Sequence, residues 1–165
     1  MSMTIEELSA LDRPAFVDAL GWIFEDSSWV AGRAWASRLF ASVDQLHAAM
    51  VAVVENADLA ERLALLRAHP DLGTRARVSS ASTAEQVGAG LDRLTPDEFD
   101  GLHRMNAAYR DKFGFPFLLA VKGSAKADIL QALESRLNAA PETELREALR
   151  QVYRVARFRL KDMIG

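Results

Sequence analysis

The chain has 165 residues, a length that fits one domain with a sizeable core. Half of the residues are apolar and 26% are charged, and a net charge of −3 leaves no basic stripe of the kind nucleic-acid binding needs. Cysteine is absent, which excludes disulfides, thiolate nucleophiles and thiolate metal sites. In chain order, helix-start signals recur at Thr4…Glu7, Asp12 with Pro14, Ser42…Gln45, Asp58…Glu61, Ser82…Glu85, Thr95…Glu98 and Pro141. Gly73, Gly114 and Gly123 mark expected helix ends. The pattern predicts helices over 4–10, 13–24, 28–41, 43–56, 58–68, 83–93, 96–112, 125–138 and 141–164. The expected fold is therefore an all-α, single-domain bundle of about eight or nine helices over residues 1–165.

Two segments interrupt the helical pattern. Residues 69–82 contain Pro70, Gly73 and several serines, and a loop this long in a helical domain is commonly functional. Residues 115–121, Phe-Pro-Phe-Leu-Leu-Ala-Val, predict a buried extended segment or a short irregular turn of helix rather than part of a sheet. No run approaches the roughly 20 apolar residues of a membrane span; the longest is Ala48 to Val54. The termini carry neither a signal-peptide pattern nor a peroxisomal address, so a cytoplasmic location is expected, without nucleic-acid or membrane partners.

His69 precedes Pro70, which holds its backbone extended, and an imidazole titrates near neutral pH. A helix-terminal histidine facing water or stabilising the last helix carbonyls is the plainer explanation. Glu85 falls at N3 of the Ser82 capping box and can serve that box alone, although a helix start also suits a substrate anion or ureido oxygen. Arg159 lies on the apolar seam Leu145, Leu149, Val152, Ala156, Met163, where a cation is either paired, bound to an anion, or reaching for solvent. Asn106 falls among Phe99, Leu102, Tyr109 and Phe113, where an amide needs hydrogen bonds, more simply to a nearby loop than to a ligand. His47 and His103 are expected at the surface, and Trp22, Trp29 and Trp35 in the core or at an interface. His69, Asp71 and Glu85 lack the spacings of metal sites, and Ser79, Ser80 and Ser82 form no nucleophile elbow. No metal site is expected.

Three ordered motifs, Arg67 to Gly73, Ser82 to Leu91, and Asn106 to Phe117, resemble the OHCU decarboxylases. The resemblance runs from Leu20-Gly21-Trp22-Ile23-Phe24-Glu25 to Arg159-Leu160. It implies an all-α homodimer that needs no cofactor. Its substrate would be 2-oxo-4-hydroxy-4-carboxy-5-ureidoimidazoline, decarboxylated to (S)-allantoin in urate catabolism. By the same resemblance His69 and Glu85 are catalytic, with His69 the proton donor. Pro70, Ser82, Thr83, Ala84, Gln86, Phe117, Leu118, Leu119, Ala120, Val121 and Arg159 would contact substrate, Phe117 to Val121 through the backbone. The pattern departs at Ser27-Ser28, where a proline is expected, and at Leu118, where isoleucine is common. From another class, the rival is a helical binding module whose 69–82 loop meets a partner. It leaves the two polar residues on apolar seams and the three ordered motifs unexplained.

Overall fold

The computed structural model describes residues 3–73 and 80–164, with the side chain of Ser80 left aside. Among the described residues there are nine α-helices and no strand: α1 (Ile5–Ser9), α2 (Arg13–Leu20), α3 (Trp29–Ala34), α4 (Val43–Glu55), α5 (Leu59–Arg67), α6 (Ser80–Gly88), α7 (Pro96–Phe113), α8 (Lys126–Arg136) and α9 (Pro141–Met163). A lone bridge joins Met3 and Ile164. The all-α expectation holds.

Helix starts follow local chemistry. Thr4 and Thr95 form complete capping boxes with Glu7 and Glu98, and Asp12, Ser42 and Asp58 accept the amides of Ala15, Gln45 and Glu61. Gly114 ends α7 in the left-handed conformation at φ 81°. Gly73 and Gly123 also have positive φ, but in turns rather than at helix ends. Three helices depart from their expected bounds by more than two residues. The helix expected over 13–24 stops at Leu20, with Gly21 as its C-cap. The one expected over 28–41 stops at Ala34, tightens to a 3-10 turn over Trp35–Ser37, and leaves Arg38 extended. The one expected over 83–93 instead starts at Ser80 and ends at Gly88.

The chain resolves into two compact units. Unit 1 comprises Met1–Ala68 and Tyr153–Gly165. Its core includes Leu8, Phe16, Leu20, Ile23, Phe24, Val30, Leu46, Met50, Leu65, Leu66 and Leu160, with α3 packed on both α2 and α4. Full burial of one such side chain contributes about 1.5–3 kcal/mol. Unit 2 is His69–Val152. Here α7 packs on α8, around Leu102, Tyr109, Phe115, Phe117, Ile129, Leu133, Ala148 and Leu149. Tyr109 is the hub of its aromatic cluster, 4.5 Å from Phe113, 5.9 Å from Phe115 and 5.5 Å from Phe117 between ring centres. No tryptophan joins either core; Trp22 is exposed, and Trp29 and Trp35 are half-buried under Arg33 and Arg38.

Candidate active site

Unit 2 holds every expected site residue except Arg159. His69 is buried, at 9% exposure, and Pro70 is half-buried. The water-facing form of the plainer explanation is therefore set aside. Three contacts fix the loop that follows His69. The Asp71 carboxylate takes a 2.9 Å hydrogen bond from the Arg110 guanidinium. The Leu72 carbonyl accepts from Asn106 Nδ2 at 3.0 Å. The Gly73 amide donates to Gln86 Oε1 at 2.9 Å. Gly73 has φ +72°, and a Cβ there would fall 2.5 Å from Leu102 Cδ2, so no other residue fits without a shift. The loop was expected to run from 69 to 82; residues 80–82 are helical, and residues 74–79, with Ser79 among them, lie outside the described ones.

Ser82 is not an N-cap. It is the third residue of α6, buried, and Glu85 stands mid-helix instead of at N3. Several serines compete for a cap here, and Ala81 and Ala84 favour extending the helix toward the earlier one. The capping box therefore does not account for Glu85. Thr83 and Ala84 are exposed, while Glu85 and Gln86 are half-buried.

Segment 115–121 has no regular structure and is buried, as expected. Its backbone is pinned at alternate points. Arg136 Nη1 donates to the Leu118 carbonyl at 2.5 Å, its guanidinium lying 4.5 Å from the Phe117 ring. The Ala120 amide donates to Gln151 Oε1 at 3.0 Å, and the Val121 carbonyl accepts from Ser124. Between them, Leu119 makes no backbone hydrogen bond among the described residues. Helix α7 links this segment to the His69 loop. Asn106 reaches Leu72 and, three residues on, the Tyr109 ring packs on Phe117, a rise of about 4.5 Å.

Glu144 is the residue that sequence reasoning passed over. It is 1% exposed, accepts from the Tyr109 hydroxyl at 2.5 Å and from Arg136 Nε at 2.6 Å, and also pairs with Arg136 Nη2. Burial, then the hydrogen bond to Glu144, pushes the Tyr109 phenol far above its ordinary range, so it stays a donor. The buried seam of α9 runs through Glu144, Ala148, Gln151, Val152, Ala156, Arg159 and Leu160, while Leu145 and Met163 are only half-buried. Reading the seam one residue earlier would have exposed Glu144 and Gln151 as polar members of it.

Arg159 lies in unit 1. It is buried and paired, so of the alternatives left open the solvent-reaching one falls: Nη2 donates to Glu25 Oε1 at 3.0 Å, and Nη1 donates to the carbonyls of Trp22 and Ile23 at 3.3 and 3.2 Å. Glu25 is itself only 4% exposed. His47 is half-buried rather than at the surface, its Nε2 2.8 Å from the Tyr153 carbonyl. His103 is exposed, against the Phe99 ring. Among the described residues no cluster of three metal-ligating side chains occurs, and no helix is long and apolar enough to cross a membrane.

Among the described residues, a buried histidine on a clamped loop and a carboxylate and an amide on the next helix are residue types that acid–base chemistry uses. The family model described as OHCU decarboxylase matches residues 9–161, and the chain belongs to that family. It is 44% identical over 161 residues to the 2-oxo-4-hydroxy-4-carboxy-5-ureidoimidazoline decarboxylase of Halalkalicoccus jeotgali, covering 98% of this chain and 92% of that protein. It is 47% identical over 161 residues to the uric acid degradation bifunctional protein PucL of Bacillus subtilis, where it covers 98% of this chain but spans only 33% of the relative's length. A crystal structure of (S)-allantoin synthase matches with a TM-score of 0.78 at 34% identity, over 98% of this chain and 54% of that one.

Proposed function

We propose that this chain is a carboxy-lyase that converts 2-oxo-4-hydroxy-4-carboxy-5-ureidoimidazoline to (S)-allantoin in urate degradation. The observation that carries the proposal is the family match across residues 9–161, with 44% identity to a relative named for that reaction. In support, His69 is buried on a loop held by side-chain hydrogen bonds, as a stereospecific proton donor requires.

The chemistry suits such residues. Breaking the C–CO₂ bond releases an electron pair into the adjacent ring C=N bond, so the substrate supplies the sink that pyridoxal or thiamine provides elsewhere, and no cofactor is required. The ring nitrogen takes up a proton, and the resulting enol becomes the ketone as its hydroxyl releases one proton and the neighbouring ring carbon gains another on one face. His69 delivers that proton and Glu85 tunes and orients it, general acid–base catalysis contributing about 10²–10⁴-fold. Pro70 and Ser82 to Ala84 line the substrate. Gln86 already accepts from Gly73 through its oxygen, so its amide nitrogen is the group that reads a substrate carbonyl. The backbone of Phe117 to Val121 reads the ring and ureido amides, chiefly at Leu119. As a separate proposal, Arg159 contributes a cation to a substrate oxygen.

We also read residues 1–165 as one domain, a cytoplasmic homodimer; the family match crosses both units in support of the first. The test of the reaction generates the substrate in situ from urate with urate oxidase and the following hydrolase. Circular dichroism should show (S)-allantoin forming faster than by spontaneous decay. A rate no faster than decay sinks the proposal.

A further inference from the structure

Three residues of α7 at a spacing of four, Leu102, Asn106 and Arg110, meet three successive loop residues in reverse order. A Cβ at Gly73 would run into Leu102. Asn106 donates to the Leu72 carbonyl. Arg110 holds the Asp71 carboxylate. Positions four apart lie on one helix face. Eight helical residues rise roughly 12 Å, and the long Arg110 side chain closes what three extended loop residues cannot span. Each step back along the loop therefore moves one turn forward along α7, and the next residues back are Pro70 and His69.

Asn106 is the buried polar member, 2% exposed. Its Oδ1 accepts no hydrogen bond among the described residues. A buried unpaired acceptor is costly, so an apolar residue would suit packing better. Turning the amide over would set Oδ1 against the Leu72 carbonyl, two acceptors facing each other. The contribution of this side chain is thus its donation to Leu72.

We infer that Leu102, Asn106 and Arg110 are positioning residues: one stripe of α7 sets the register of the loop and so places the His69 imidazole for proton delivery. The inference rests on the role proposed above for His69. Misplacing a catalytic group by about 1 Å costs rate on the order of a hundredfold while leaving binding alone. Asn106→Leu, which keeps volume and removes the donor, should lower kcat about ten- to a hundredfold with KM within about twofold.

Should Asn106→Leu fail to fold, the exposed pair decides. Arg110→Gln and Asp71→Asn should each lower kcat, the double variant should be no worse than the poorer single one, and Arg110→Lys should restore most of the rate. Proton NMR gives a readout independent of turnover. The His69 ring signal, identified by its loss in His69→Ala, should move in Arg110→Gln while that of His47 stays. An unmoved His69 signal together with additive or absent kcat effects overturns the inference. A wild-type protein that fails to decarboxylate sinks the functional reading alone, and the His69 signal still decides whether the stripe places the imidazole.

Discussion

At the scale of single residues, long-range partners decide what local sequence leaves open. Arg159 on an apolar seam left paired, anion-bound and solvent-reaching readings open, because Glu25 lies 134 residues away and carried no sign that it was the counter-ion. With Arg159 5% and Glu25 4% exposed, Arg159→Leu removes one member of a buried ion pair and should cost about 3–5 kcal/mol in urea denaturation. A loss under about 1 kcal/mol would show that the pair is not structural. His47 was expected at the surface, and only the fold brings the Tyr153 carbonyl to it. Burial lowers its pKa below the ordinary 6.5; the Tyr153 hydrogen bond and Asp44 oppose the shift, while Arg157 and Lys161 add to it. Between the folded and unfolded values the unfolded chain binds more protons, so His47 makes stability fall as pH drops below about 6.5. His47→Gln should flatten that fall in thermal melts between neutral and mildly acid pH. An unchanged slope would assign it elsewhere.

At the scale of elements, helix starts were the most legible feature. Thr4, Asp12, Ser42, Asp58 and Thr95 cap where expected because a cap is a contact between neighbours in sequence. Ends were less legible. α3 stops at Ala34, well short of 41, with no glycine to announce it. Ser82 misled because nearby serines offered an earlier start. The irregular 115–121 segment was legible as buried and outside any sheet, with a short turn of helix left open, but its supports were not, since Arg136, Glu144 and Gln151 stand on α8 and α9. Glu144 joins Tyr109 and Arg136 beneath that segment. Glu144→Leu removes one partner of a nearly buried pair, Arg136 being 13% exposed, and should destabilise by about 3 kcal/mol. A change within about 0.5 kcal/mol would mean the carboxylate is dispensable.

For the whole molecule, fold class and family followed from helix periodicity and three ordered motifs, two of which form the facing parts of one device. The motif after Arg67 supplies the loop, and the motif at Asn106 supplies the helix that holds it. Spacing along the chain could not show that α7 bonds to the His69 loop, because 34 residues separate Asn106 from Leu72. The proposed role of His69 is to supply the proton that completes the decarboxylation. It is tested most directly by the rate of (S)-allantoin formation from in-situ substrate with His69→Ala beside wild type. The variant should keep its helical spectrum and fall by at least about 10²-fold, toward spontaneous decay. A folded variant that retains the wild-type rate would contradict it.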